Sequence, residues 1–258
     1  MAFYDLPKQE RIVVVTNIYN DILHELKKPP VKKTITFFGD EDTYIRKSAY
    51  LSVGKIYNGN EKLRSKIIKM LNSFLEDSNF KIRQTAINAA GEIGKIDFPV
   101  VQHIFDKELF DQHHSPRNAV IGSLKKMGEV NPGPVLKWAA KYLQHKEAEI
   151  RREICHGIEL RGRKYPQDIL PMLKTLEHDK KARVRNTLVH VLGQIAYKKG
   201  CLETVVQDLK TWENKELVAD ALEEIIDVHH RYRDFSYYTQ EEARQYIAMQ
   251  KIAQDKCL

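Results

Sequence analysis

Asp77-Ser-Asn-Phe-Lys-Ile82-Arg83 and Asp179-Lys-Lys-Ala-Arg-Val184-Arg185 are two copies of one pattern, an aspartate followed five places later by a β-branched residue and an arginine. The pattern returns as Asp40…Ile45-Arg46, and in variant form as Asp111…Pro116-Arg117 and His145…Ile150-Arg151. Successive arginines stand 37, 34, 34 and 34 residues apart. Self-similarity at a fixed period is the signature of a repeat architecture, in which each unit buries its apolar face only against its neighbours. Three places after each arginine come Ala49, Ala86, Val120, Ile154 and Leu188; ten places after come Ile56, Ile93, Met127, Arg161 and Ile195. Offsets 0, 3, 7 and 10 share one side of a helix, so each copy predicts an amphipathic helix with a capping aspartate at its start, able to meet a neighbouring repeat's arginine. A second amphipathic run precedes each copy, as in 62–75 and 134–143. The unit is a helical hairpin, and the repeat arginines Arg46, Arg83, Arg117, Arg151 and Arg185 are expected to be structural.

This hairpin resembles the HEAT repeat over residues 38–227, with a degenerate sixth unit at 201–228 where Leu217-Val218 takes the Ile-Arg place. The resemblance implies an all-α fold, a right-handed α-solenoid of five clear repeats plus the sixth. One domain is expected over 1–258: an N-terminal cap at 1–37, repeats at 38–228 and a C-terminal cap at 229–258. Helices at 8–27 and 240–254 would close the ends, because a terminal repeat needs a polar outer face. Trp138, Trp212 and the aromatics of 231–238 are expected to pack rather than to stack on bases.

Composition agrees with a globular chain. At 258 residues with 42% apolar and 30% charged side chains it can bury a core without disulfides, which excludes disorder and collagen. No apolar run reaches the roughly 20 residues of a membrane-spanning helix, and the start, Met1 to Arg11, lacks the order of a secretion signal, so a cytoplasmic protein without a membrane is expected. Cys155, Cys201 and Cys257 share no C-x-x-C spacing and read as reduced, unreactive thiols. The pairs His113-His114 and His229-His230 have no ligand companions at metal spacing, and no nucleotide-binding or nucleophile-elbow motif occurs. No metal and no cofactor are expected.

The net charge is +7, and residues 146–185 hold 11 Lys/Arg against 7 Asp/Glu. That local surplus points to an anionic partner. Lys47, Gln84, Asn118, Arg152 and Asn186 follow the repeat arginines directly, while His156 and His190 share the offset of five; such rows would line a concave face. The fourth repeat departs from the others. After Glu149-Ile-Arg-Arg-Glu-Ile-Cys-His-Gly-Ile-Glu-Leu160 comes Arg161-Gly-Arg-Lys-Tyr-Pro166, read as a basic loop in which Gly162 relieves the backbone and Arg161, Arg163 and Lys164 suit phosphate. Lys180, Lys181 and Arg183 open the fifth repeat near a helix N-terminus, where anions are favoured.

Between Trp138 and Ile225 the Arg-Arg helix, the basic turn with proline and Leu192-Gly-Gln-Ile-Ala196 resemble the AlkC/AlkD-type alkylpurine DNA glycosylases. That resemblance implies duplex DNA held in a cationic cleft and a carboxylate that stabilises the sugar cation as an N3- or N7-alkylpurine leaves. His156 stands where the family has an acid, and Glu153, one turn earlier, is the carboxylate that could serve in its place; these two are the catalytic candidates. The DNA-contacting candidates are Lys47, Asn118, Arg152, Arg161, Arg163, Lys164, Lys180, Lys181, Arg183, Asn186 and His190. The alternative is a non-catalytic scaffold with a protein on the concave face. The chain is expected to be a monomer.

Overall fold

The computed structural model describes residues 3–255; Cys257 lies outside them. Among these residues every regular element is helical, as the repeat requires. None of the helices is long and apolar enough to cross a membrane. The chain divides into two compact units, one ending at Asn131 and the other beginning at Pro132.

In the N-terminal unit the elements are α1 (Lys8–Lys27), α2 (Lys32–Gly39), α3 (Thr43–Gly59), α4 (Arg64–Phe74), α5 (Phe80–Glu108) and α6 (His114–Val130). The span 8–27 expected for the first capping helix is α1 to the residue. α5 is two helices joined without a loop. It kinks at Asp97 (φ −134°, ψ 70°), two places before Pro99, which has no amide hydrogen to continue the ladder. Its first half completes one hairpin and its second half begins the next.

The C-terminal unit contains α7 (Pro132–Tyr142), α8 (Ala148–Gly157), α9 (Glu159–Gly162), α10 (Leu170–Lys174), α11 (Ala182–Gln194), α12 (Cys201–Leu209), α13 (Lys215–Arg231) and α14 (Gln240–Asp255). α12 and α13 form the degenerate sixth hairpin, started by the Asn214 side chain accepting from the Leu217 amide. Trp138 and Trp212 are buried, as are the periodic residues Ile56, Ile93, Met127, Ile154, Leu188 and Ile195. In the connector between α13 and α14, Tyr232 stacks on Tyr197 with centroids 5.3 Å apart, but Phe235 and Tyr237 stand more than half exposed, so the packing expected of these aromatics holds only in part.

The recurring acid works two residues earlier than a cap would. The side chains of Asp40, Asp77, Asp111 and Asp179 accept from the amides of Asp42, Asn79, His113 and Lys181, at 2.7 to 2.9 Å, closing a turn before the helix. In the variant copy His145 Nδ1 does the same for Glu147, at 3.2 Å. Asp42, Asn79 and His113 are then the side-chain caps of α3, α5 and α6. The expectation that the aspartate itself caps the helix is therefore corrected: a short polar side chain bonds the amide two residues on, which is a turn rather than a cap.

The repeat arginines complete this unit. In all five copies Nη1 donates to the main-chain carbonyl of the residue at the aspartate position: Asp40, Asp77, Asp111, His145 and Asp179. Arg83 also reaches the next repeat, with Nε 2.7 Å and Nη2 3.0 Å from the two Asp111 oxygens, and Arg151 grips Asp179 in the same fork at 2.6 and 3.0 Å. Planar, bidentate and largely buried, these pairs tie consecutive hairpins together. Burial alone would raise the Asp179 carboxyl, but the Arg151 guanidinium and the Lys181 amide outweigh it and hold the group below its ordinary value.

Candidate functional site

Of the segment 161–166 expected to be a basic loop, Arg161 and Gly162 belong to a helix, and Arg163, Lys164 and Tyr165 form the turn that follows it. α8 ends at Gly157, and α9 carries the chain on through Arg161 to Gly162. Gly162 is needed for packing: a Cβ there would fall 2.4 Å from Ile169 Cδ1 and 2.7 Å from Ile195 Cγ2. The loop is therefore shorter than expected, starting at Arg163, and Gly162 serves packing rather than backbone relief.

The arginines of this segment turn inward. Arg161 binds Asp168 through Nε and Nη2, at 2.7 and 2.6 Å, with its guanidinium 4.0 Å from the centre of the Tyr165 ring. Arg163 pairs with Glu159, donates to Gln194 Oε1 at 2.7 Å and to Tyr197 Oη at 3.2 Å. Arg152 holds Glu149 at 3.0 and 2.6 Å. Arg161 thus fills the apolar place of the other repeats by neutralising itself against a neighbour, and Glu159 fills a place that is glycine in three of them.

Glu153 lies inside the unit at 5% exposure, with one oxygen 3.8 Å from Arg152 Nη2. His156 is partly open, its Nε2 3.1 Å from Glu159 Oε2, and its ring centre is 6.0 Å from that of His190. His190 Nδ1 lies 3.3 Å from Glu224 Oε1. Lys164, Lys180, Lys181 and Arg183 stand exposed, Arg183 within 3.3 Å of Glu149. Asn186 edges a small polar hollow with Arg185, Asn214 and Asp220. Lys47 and Asn118 are exposed on α3 and α6 of the N-terminal unit. The structure therefore brings His156, His190 and Arg163 together around Glu159, while Glu153 and Arg152 pair beside each other, Arg161 turns to Asp168 and Tyr165, and the lysines stand outside these contacts. Burial pushes the Cys155 and Cys201 thiols up, which keeps them protonated and unreactive as expected.

A second feature was not anticipated. Phe3, Tyr4, Val15, Tyr19, Tyr44 and Leu51 line a hollow of about 410 Å³ between the start of the chain, α1 and α3, with Lys47 and Lys55 on its border. Tyr4 and Tyr44 meet edge to face at 4.2 Å, and Arg11 lies 4.8 Å over the Tyr4 ring. Ile12 and Val13, on the outer side of α1, are more than half exposed. The exposed side of the cap is thus not wholly polar: Ile12, Val13 and Val15 interrupt it. The signal was present in Ile12-Val-Val-Val15: four consecutive apolar residues encircle a helix, so no rotation can bury them all.

Comparison with known proteins gives three kinds of likeness. The family model described as Cnd1, non-SMC mitotic condensation complex subunit 1, matches residues 13–151. AP-1 complex subunit beta of Dictyostelium discoideum is 26% identical over 121 residues, which are 46% of this chain and 12% of that protein's length. Among solved structures, AlkD2 from Streptococcus mutans aligns over 79% of this chain and 97% of its own, with a TM-score of 0.54 and 15% identity. A structure of crescerin, described as using a TOG domain array to regulate microtubules in the primary cilium, aligns over 78% of this chain and 90% of its own, with a TM-score of 0.50 and 19% identity. These structures share the all-α repeat fold with this chain.

Proposed function

Because the chain belongs to the Cnd1 family, non-SMC mitotic condensation complex subunit 1, we propose that it is a non-catalytic HEAT-repeat scaffold that binds a partner protein through its N-terminal unit. The observation that carries this reading is the aromatic hollow beside the exposed apolar side of α1. An apolar centre of tyrosines and valines with cations at its edge has the composition of a protein interface rather than of a solvated cap. Lys8, Arg11, Lys47 and Lys55 around it favour an apolar segment flanked by acidic residues. The two proteins matched by sequence are both described as subunits of complexes, which supports the same reading.

The test is fluorescence anisotropy with amphipathic helical peptides that carry leucine and phenylalanine on one side and glutamate at both ends. Binding to the wild-type chain, lost in Val15→Glu and weakened in the pair Lys47→Glu, Lys55→Glu, is the expected result. Equal binding by Val15→Glu overturns the assignment to this surface.

A second reading rests on a different observation, the exposed Lys180, Lys181 and Arg183 at the start of α11. Together with Lys164 they could neutralise duplex phosphates, and the likeness in fold to AlkD2 is consistent with DNA as the ligand. On this reading DNA is bound and not cleaved from its bases, since Glu153 is buried beside Arg152 rather than presented to a sugar.

A further inference from the structure

Two histidines that the repeat period places 34 residues apart, His156 on α8 and His190 on α11, converge with Glu159 at one spot of the C-terminal unit. Each of the three residues offers one ligand atom, and these atoms lie within 4.8 Å of one another. The Glu159 side chain is only 1% exposed, so its charge has been taken out of water and calls for cationic neighbours. Arg163 engages one of its oxygens, while the other faces His156 Nε2 at 3.1 Å.

We propose that His156, Glu159 and His190 form a binding site for a divalent transition-metal ion of the zinc type. Two imidazole nitrogens and one carboxylate oxygen suit zinc, nickel or copper, whereas magnesium and calcium take oxygen ligands. Bonds of about 2.0 Å to a tetrahedral ion place neighbouring ligand atoms roughly 3.3 Å apart, so the group must contract slightly. The imidazoles are the parts that move, with side chains 39% and 42% exposed. Their exposure also gives the ion a route in and leaves a coordination position to water.

The surroundings are those that orient metal ligands. His190 Nδ1 lies 3.3 Å from Glu224 Oε1, and donation to that carboxylate would leave Nε2 as the nitrogen offered to the ion. Arg163 holds the Glu159 carboxylate in place from its other oxygen, with Gln194 behind the guanidinium. The ligands come from two consecutive repeats, so the ion would clamp α8 and α9 to α11 at the place where the fourth repeat departs from the pattern.

The experiment adds Zn²⁺ or Co²⁺ to the chelator-treated full chain and follows calorimetric binding, melting temperature and the visible absorption of cobalt. Stoichiometric binding, a higher melting temperature with zinc and the cobalt bands of a low-symmetry nitrogen and oxygen site without a thiolate band are expected. The double variant His156→Asn, His190→Asn should lose these responses, while Glu224→Gln should weaken binding by about tenfold as a group that orients a ligand. Both histidines are partly exposed, and circular dichroism of the metal-free variants checks that the fold survives. His178→Ala, beside Glu177 and Glu213, removes the other cluster of ligand-type side chains among the described residues and should change nothing. The proposal is overturned if wild type shows no zinc-dependent shift and no cobalt absorption, if the double variant binds as well as wild type, or if His178→Ala abolishes binding.

Discussion

Arg151 spends four of its five N–H donors on structure: its fork meets Asp179, and Nη1 donates to the carbonyls of His145 and Lys146. Removing it leaves a nearly buried carboxylate without its partner, so Arg151→Ala should lower the unfolding free energy by roughly 1 to 4 kcal/mol in urea titration. Arg151→Lys should recover only part of the loss, because an ammonium cannot reproduce the planar fork. A variant as stable as wild type would show that the pair is not tying the hairpins together. His229 supplies a second test at this scale. It is fully buried with Nδ1 bonded to the Ile225 carbonyl at 2.7 Å, and burial depresses its pKa below 6.5. The unfolded chain then takes up a proton near pH 6.5 that the folded chain refuses, so stability is present at neutral pH and lost as pH falls below that value. The urea midpoint of His229→Gln should fall less than that of wild type between pH 7.5 and pH 5.

At the scale of elements, two glycines on packed helices have opposite duties. A Cβ on Gly91 would fall 2.4 Å from Ser123 Oγ, 2.7 Å from Ser123 Cβ and 3.5 Å from its Cα, so α5 and α6 pack closely there. A Cβ on Gly122 of α6 would meet nothing within 4 Å. Gly91→Ala should therefore cost about 1 to 3 kcal/mol by overpacking. Gly122→Ala should be neutral or stabilise by up to about 1 kcal/mol through helix propensity. Thermal melting of the two variants separates these cases, and equal shifts would mean that the close approach of α5 to α6 is not maintained. The hairpins themselves were legible from Asp-x4-Ile/Val-Arg, because the period and the helical offsets come from local chemistry. The absence of a loop in α5 was not: Pro99 announces an interruption, but whether the chain turns or merely kinks depends on what packs around Phe98 and Phe105.

For the molecule as a whole, the two readings of function use different units and can be tested apart. If duplex DNA is a ligand, Lys180→Glu, Lys181→Glu and Arg183→Glu together should weaken binding at least tenfold and flatten its salt dependence, each lost phosphate contact reducing the slope by about one. Arg161→Glu and Arg163→Glu should act first on stability, since both arginines are already engaged by Asp168 and Glu159. A binding loss from Arg161→Glu or Arg163→Glu in a fully stable protein would restore the basic segment after Leu160 as a DNA contact. Wild type incubated with methylated DNA in excess protein should release neither N3- nor N7-methylpurine.

What the sequence determined by itself was everything that repeats: the helical class, the hairpin unit, and the arginine and aspartate that bind consecutive units. Each follows from spacing along the chain, since helix offsets and turn chemistry act over a few residues. Only the tertiary structure decided which charges remain available. Arg161 and Arg163 look in the sequence like phosphate ligands, and Asp168, Glu159 and Gln194, at separations from four to 31 residues, take them up. His156 and His190 share one offset in the sequence, but only the stacking of α8 on α11 brings both against the buried Glu159 carboxylate. The physical reason is the same in both cases: a charge is satisfied by whatever lies within a few ångströms in space, and in a stack of hairpins those neighbours belong to another turn or another repeat.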